Sequence, residues 1–148
     1  MATFQSTIQL NCSAESAFDF LIRTENIVRL APDSAIEFVD PPEVLSAGVS
    51  LKVKATVYGM TYDISYDIVE CSRAEKIKEV QTRGPLGKWQ RETSIETAEN
   101  GCTLTDSIEF EPPGGLAGFV MTEAKIRQSL ESSYEFRNQT LQQLLGAE

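Results

Sequence analysis

The stretch RGPLGKWQRETSIE (Arg83–Glu96), followed by GCTLTDSIEFEPPGG (Gly101–Gly115), decides the fold of this chain. Both segments alternate with period two, which predicts two β-strands, and Asn100-Gly101 between them predicts a hairpin turn. The inward face of each strand is expected to carry large apolar side chains together with charged or polar ones: Trp89, Arg91, Thr93 and Ile95 on the first, and Leu104, Asp106, Ile108 and Phe110 on the second. An arginine that shares a face with tryptophan and isoleucine indicates a strand that lines a ligand cavity rather than a solid core.

The rest of the strand pattern extends this hairpin in the N-terminal direction. Alternation predicts strands at 3–10, 35–39, 49–58, 61–71 and 76–83, with a turn at Gly59-Met60. Two short helices are expected after the first strand. Ser13 is a candidate N-cap for one, Thr24 is a candidate N-cap for the other, and Pro32 stops the second helix.

The C-terminal part of the chain predicts a helix. Pro112-Pro113-Gly114-Gly115 ends the last strand, and residues 116–145 are expected to form one long helix. One face of this helix is apolar and carries Val120, Leu130, Tyr134, Leu141 and Leu144. Arg137 lies on the same face.

This order of elements predicts an α+β fold, with a curved antiparallel sheet of about seven strands wrapped around the C-terminal helix. A strongly twisted sheet of this size curls, and a helix in its hollow can leave a pocket. The 148 residues show no internal repeat or linker, so we expect a single domain spanning 1–148.

Composition excludes several classes of function. Asp and Glu number 22 against 13 Lys and Arg, and the net charge of −9 with no basic run disfavours nucleic-acid and anionic-lipid binding. Histidine, the commonest general base and metal ligand, is absent. The three cysteines have no metal-binding spacing. We therefore expect no metal, no cofactor and no catalytic constellation.

The start of the sequence is not expected to be a signal peptide. Its start, MATFQSTIQL, has no basic region followed by an apolar one, and no apolar stretch is long enough to form an integral membrane segment. For a bacterial chain these features predict a cytoplasmic protein.

Three pieces of sequence resemble the START-like superfamily, also called SRPBCC or polyketide cyclase/dehydrase-like. They are FQSTIQLNCSAESAFDFLIRTENIVRLAP, the hairpin quoted above, and LESSYEFRNQTLQQLL near the C-terminus. The resemblance covers essentially the whole chain, and the hairpin and the last piece look like a bacterial ligand-binding subgroup of unassigned function. It implies the helix-grip fold, which plant pollen allergens share, and a hydrophobic cavity, but no single reaction.

The resemblance also bears on individual positions. In such relatives the positions matching Arg91 and Thr93 are often histidines, so histidine-based chemistry does not carry over to this chain. A Tyr/Phe-then-Arg pattern recurs where this chain has Tyr134 and Arg137. Arg137 is then either an anion contact at the cavity or a structural tie between helix and sheet.

Arg91 and Asp106 are the charged candidates on neighbouring strands. A turn centred on Asn100-Gly101 leaves them offset by about two positions each from ideal pairing. A buried guanidinium needs a carboxylate partner, so the two residues form either a polar anchor for a ligand or a purely structural ion pair. Arg91 could also extend its head group to solvent at the cavity mouth.

Aromatic side chains complete the candidate site. Tyr62, Tyr66 and Trp89 form either an aromatic wall with hydroxyl groups for a ligand or simply core. Asp63 and Asp67 are expected on the solvated outer face. The predicted ligand-binding set is Tyr62, Tyr66, Trp89, Arg91, Thr93, Asp106, Ile108, Leu130, Tyr134 and Arg137.

The leading functional hypothesis is binding or transport of a small hydrophobic molecule, such as a lipid, isoprenoid, quinone or polyketide-like aromatic. One alternative is a cyclase-type or dehydratase-type enzyme using Arg, Asp and Tyr side chains, for which Asp106 needs a raised pKa. Another is a protein-interaction role with the cavity filled by Trp89, Tyr66 and Phe110. The oligomeric state is left open.

Overall fold

The computed structural model describes residues 1–32, 36–57 and 59–146. Its elements, in chain order, are β1 (Ala2–Leu10), α1 (Ala14–Leu21), α2 (Thr24–Arg29), β2 (Ile36–Phe38), β3 (Ser50–Val57), β4 (Met60–Ser72), β5 (Lys76–Arg83), β6 (Lys88–Ala98), β7 (Gly101–Glu111), α3 (Ala117–Val120), α4 (Glu123–Leu141) and a π-helical turn (Gln142–Gly146). The predicted strand ends at Ala35 and Tyr58 lie outside the described residues.

The seven strands form one antiparallel sheet in the order β1-β7-β6-β5-β4-β3-β2. Strands β2 to β7 follow one another as neighbours, and β1 joins the sheet beside the last strand. The α+β architecture, the seven strands and the two short helices after β1 are as the sequence predicted. The sheet therefore presents one continuous inner face to the helices.

The inner face of the sheet follows the predicted alternation. In β7 the four side chains predicted to point inward, Leu104, Asp106, Ile108 and Phe110, are all buried, and so is Cys102. In β3 the buried side chains are Leu51, Val53 and Ala55. Buried apolar side chains at every second position supply the hydrophobic stabilisation of a sheet that is covered on one side.

The two short helices differ in how they begin. The side chain of Ser13 caps α1 as predicted, because its Oγ accepts a hydrogen bond from the backbone N–H of Ser16 at 3.1 Å. The prediction for Thr24 is wrong, since Arg23 occupies the N-cap of α2. The Thr24 hydroxyl donates instead to the carbonyl of Pro42 at 2.8 Å, which ties α2 to the following loop.

The two predicted hairpin turns lie one residue closer to the N-terminus than predicted. Val57 pairs with Met60, and Ala98 pairs with Gly101, so Met60 and Gly101 belong to strands. Gly101 has a φ of +151°, and a Cβ atom there would lie 1.9 Å from the carbonyl oxygen of Leu10. Only glycine fits where β7 begins beside the end of β1.

The prediction of a single C-terminal helix is wrong at its start. α3 ends at Val120, and Thr122 begins a new helix by accepting a hydrogen bond from the backbone N–H of Lys125 at 3.3 Å. Val120 and Leu144, predicted on the buried line, are exposed. Along α4, by contrast, Tyr134, Arg137 and Leu141 are buried.

Side chains of α4 reach the first strand of the sheet. Arg127 Nη1 donates to the backbone carbonyl of Thr3 at 2.8 Å, and Asn138 Nδ2 donates to the Ser6 hydroxyl at 2.9 Å. At the chain end, Asn11 Nδ2 donates to the carbonyl of Gly146 at 2.7 Å. These bonds fix the helix over the β1 side of the sheet and leave a space toward the β3 side.

Candidate functional site

A cavity of about 300 Å³ lies between the inner face of the sheet and α4. Strands β2 to β7 supply one wall, and α1, α2 and α4 supply the others. Most of its lining is apolar, including Leu30, Phe38, Leu45, Leu51, Val53, Ala55, Ile77, Ile108 and Leu130. A space of this size falls at the lower end of small-molecule pockets, roughly 300–1,000 Å³.

Large side chains do not fill this space. Trp89 and Tyr66 line the cavity, with their rings in edge contact at 5.2 Å between centroids. Phe110 is fully buried and packs in one cluster with Ile108 and Tyr134, but it is not itself part of the cavity lining. The cavity therefore stays open beside the aromatic wall.

One part of the cavity wall is polar and contains Arg91. Its guanidinium forms an ion pair with Glu79, which lies directly opposite in the register of β5 and β6. Nη1 of Arg91 also lies 3.4 Å from the hydroxyl of Tyr134, and the guanidinium stands 5.6 Å from the centre of the Trp89 ring. Burial alone would lower the pKa of Arg91, but Glu79 and then Tyr134 hold it well above its ordinary value.

Asp106 pairs with a different arginine from the one the sequence suggested. Nε of Arg137 on α4 lies 3.2 Å from Asp106 Oδ2, and both residues are buried. In the strand register Asp106 faces Thr93, and Arg91 faces Ile108, so the direct partner of Arg91 is Glu79. The hairpin turn sets this offset.

The carboxylate of Asp106 is held in its ionised form. Burial alone would raise the pKa of Asp106, but the guanidinium groups of Arg137 and Arg91 outweigh it and lower the pKa below its ordinary value. Among the residues that the structure describes, no group donates a hydrogen bond to Asp106 Oδ1. Oδ2 is the oxygen that contacts Arg137, and the nearby hydroxyls of Thr93 and Tyr134 also help to lower the pKa of this carboxyl.

Two tyrosine hydroxyls near the charged groups stay protonated. Burial raises the pKa of Tyr134 to about 12, and burial raises the pKa of Tyr66 further. Both phenols are therefore available as hydrogen-bond donors and acceptors at neutral pH. Tyr134 also contacts Phe4 from β1, with 5.3 Å between ring centroids.

Eight of the ten predicted site residues line the cavity, namely Tyr66, Trp89, Arg91, Thr93, Ile108, Leu130, Tyr134 and Arg137. Asp106 is not a lining residue and stands behind the wall, next to the lining residues Arg137 and Thr93. Tyr62 lies in a second, open groove beside α3. The ten residues thus divide between the cavity, its support and a separate surface.

Glu79 is the site residue that the sequence reasoning missed. It is buried in β5, two positions after the buried Ile77 and on the same face. A glutamate that shares a face with isoleucine is the same anomaly that singled out Arg91. Pairing the two anomalies across neighbouring strands would have found the ion pair.

Neither a metal site nor a membrane-spanning helix is present among the described residues 1–32, 36–57 and 59–146. They contain no group of three or more acidic, cysteine or histidine side chains placed to hold a metal ion. They also contain no helix with the length and apolar character that a membrane crossing requires.

Comparison with known proteins shows the fold. No family model matches the sequence, and neither does any curated protein. Among solved structures, a START superfamily protein of Mycobacterium smegmatis has a TM-score of 0.73 at 12% identity, with 97% of this chain and 96% of that chain covered. A Chromobacterium violaceum protein reaches 0.76 at 13% identity over the whole of both chains.

A plant protein shares the architecture. Ginseng major latex-like protein 151 of Panax ginseng has a TM-score of 0.64 at 11% identity, with 91% of this chain and 93% of that chain covered. These similarities show that the chain has the helix-grip fold of START-like proteins, as its sequence predicted. At such low identities they define the fold alone.

Proposed function

We propose that this protein binds a small hydrophobic molecule in the cavity between the sheet and α4. The observation that carries the proposal is an open, mostly apolar space of about 300 Å³ with a polar cluster in its wall. Burial of apolar surface would supply the affinity, and the polar groups would orient the ligand. The helix-grip fold, shared with a START superfamily protein, supports this function.

The size of the cavity limits the ligand. A space of about 300 Å³ lies at the lower end of the range for small-molecule pockets. This volume suits a single medium-length acyl or isoprenoid chain, or a fused two-ring aromatic. A two-chain phospholipid would require the helix to move outward.

The proposed contacts follow from the cavity lining. Tyr66 and Trp89 would pack against the ligand, while Arg91, Tyr134 and Arg137 would offer hydrogen-bond donors. Asp106 would position Arg137 without touching the ligand, because it lies behind the wall. Tyr62 is no longer part of the proposed site.

The enzyme alternative is not favoured by the charged groups. A cyclase or dehydratase that used Asp106 as a general base near neutral pH would need a raised pKa at this residue. Its pKa is displaced in the opposite direction, and the raised pKa of Tyr134 makes that phenol a weak acid. Binding without turnover therefore fits the cluster better.

The binding proposal can be tested by filling the cavity. Ala55 is buried and lines the space, so Ala55→Phe should occupy part of it and weaken the binding of Nile red, an uncharged apolar dye, at least tenfold. Lys54→Phe adds the same ring at the neighbouring exposed position and serves as the matched control. Native mass spectrometry of the wild-type protein, followed by organic extraction, would identify any molecule that copurifies.

Two results would contradict the proposal. One is equal Nile red binding by the Ala55→Phe and Lys54→Phe variants when both are folded. The other is a wild-type protein that copurifies with no small molecule and whose native mass does not shift when lipids, quinones or two-ring aromatics are added.

One observation favours a protein-interaction role as a second candidate. α3 and the residue before it expose three apolar side chains, with Leu116 at 84%, Phe119 at 80% and Val120 at 64% of full exposure. Exposed apolar clusters of this kind can mark contact surfaces. Sedimentation of wild type against a Leu116→Ser/Phe119→Ser variant would test self-association through this surface, and identical profiles would argue against it.

A further inference from the structure

The ionised groups around the cavity cancel one another. Glu79 is paired with Arg91, and Asp106 is paired with Arg137, so two carboxylates oppose two guanidinium groups. Lys and other acidic side chains are not part of the cavity lining. A ligand that brought its own charge would therefore leave the cluster with an uncompensated charge in a mostly apolar space, which is costly.

The cluster nevertheless contains hydrogen-bond donors that its own carboxylates do not use. Arg137 lines the cavity and uses Nε for Asp106, while within the described residues its two terminal nitrogens donate to no acceptor. Its guanidinium also lies 5.7 Å from the centre of the Tyr134 ring. Unused N–H groups next to a cavity call for an oxygen acceptor from the ligand.

Taken together, charge balance and unused donors define a head group. We infer that the cavity selects an uncharged apolar molecule that carries a carbonyl or similar oxygen acceptor, and that it discriminates against carboxylates of the same shape. The acceptor oxygen would bind the terminal nitrogens of Arg137. This inference rests on the proposed binding function and adds the chemical class of the ligand.

Isosteric ligands test the inference without any variant. 2-Acetylnaphthalene, 2-naphthoate and 2-isopropylnaphthalene have the same shape and differ in offering a neutral acceptor, a charged acceptor or none. Undecan-2-one and decanoate form a second, aliphatic pair. In displacement of Nile red at neutral pH, each ketone should bind at least about tenfold tighter than its carboxylate. 2-Acetylnaphthalene should also bind tighter than the hydrocarbon.

A charge variant tests the explanation. Glu79→Gln releases Arg91 from its partner and leaves the cluster with one net positive charge. This variant should bind 2-naphthoate more tightly than wild type does, and the preference for the ketone should shrink or reverse. Glu92→Gln makes the same change at the outer-face pair with Lys76, so its ketone preference should equal that of wild type.

The outcomes separate this inference from the proposed function. Carboxylates that bind wild type as tightly as ketones would overturn the neutral-ligand inference and leave the binding function standing. An unchanged preference in a folded Glu79→Gln variant, or an equal change in Glu92→Gln, would overturn the charge-balance explanation. Failure of all five compounds to displace or bind would overturn the proposed function and this inference with it.

Discussion

Removing one partner of the buried ion pair between Asp106 and Arg137 should destabilise the protein strongly. Asp106 is 3% exposed, and the side chain of Arg137 is 10% exposed. Asp106→Asn keeps the shape of the side chain but leaves the guanidinium without its carboxylate. Removing one partner of a buried ion pair costs about 3–5 kcal/mol, so we expect the free energy of unfolding to fall by that amount.

The distance supports this magnitude. At 3.2 Å and an effective dielectric constant of roughly 20, the attraction between two unit charges is about 5 kcal/mol. The hydrogen bond that the asparagine oxygen can still accept offsets part of this loss. For a chain of this length each kcal/mol lowers Tm by about 2–4 °C, so the loss should be close to 10 °C.

Urea unfolding of three variants measures the effect. Asp106→Asn is the test, and Asp106→Asn/Arg137→Met removes both charges and should recover at least about 2 kcal/mol of the loss. Asp19→Asn is the matched control, because Asp19 pairs with Arg73 on the surface and both side chains are more than half exposed. Exposed pairs contribute little, so this control should behave like wild type.

The reasoning would be refuted by two results. Equal destabilisation of Asp106→Asn and Asp19→Asn would mean that burial does not strengthen the pair. A double variant as unstable as the single one would mean that the loss does not come from an uncompensated arginine.

Three further predictions concern the same fold. The pKa of Asp106 is lowered in the folded state, so its ionised form stabilises the protein fully above the unfolded pKa of about 3.9, and this stabilisation is lost as the pH falls through the folded pKa. In urea unfolding, the difference in unfolding free energy between wild type and Asp106→Asn should therefore become smaller in acid. Ser13→Ala and Thr122→Ala each remove a helix N-cap and should cost about 1 kcal/mol in the same assay, and no loss in either would show that the cap bond is unimportant. Gly101→Ala should lower the free energy of unfolding by more than about 3 kcal/mol, because its Cβ would clash with a backbone carbonyl. Gly114→Ala has open space around its Cβ and should be tolerated, so equal thermal stability of the two variants would contradict the close approach at Gly101.

Much of the fold is predictable because the strands alternate between a solvent-exposed face and a buried face. The alternation in β7 identified four of its five buried side chains, including Asp106, from the sequence alone. Positions that depend on a single turn residue were harder. Asn100-Gly101 predicts the turn at these two residues, but Gly101 already pairs with Ala98 and lies close to Leu10, so it belongs to β7.

Which charged residues form ion pairs was harder to predict than which face of the sheet each residue occupies. Alternation placed Arg91 and Asp106 on inward faces, but it could not say which opposite charge each would meet. That choice depends on a pairing register two residues away from the predicted one and on the position of α4, which brings Arg137 to Asp106. Glu79 could have been found, because it shares its face with Ile77.

The break before α4 had a local signal that apolar periodicity concealed. Val120 fits the apolar line of a continuous helix, yet Thr122 is a good N-cap, and its hydroxyl begins α4 there. Capping chemistry therefore outweighs periodicity at this point. The short α3 is left with its apolar side chains in solvent.

The contact between α4 and β1 has a consequence for how the chain behaves in a crowded solution. β1 is an outer strand of nine residues without a single charged side chain, which is the kind of edge on which another chain can add a strand. Arg127 donates a hydrogen bond to the Thr3 carbonyl there, and the opposite outer strand, β2, spans three of the described residues. The C-terminal helix thus also protects the sheet against templated strand addition, so a chain that lost this helix would be expected to aggregate through β1.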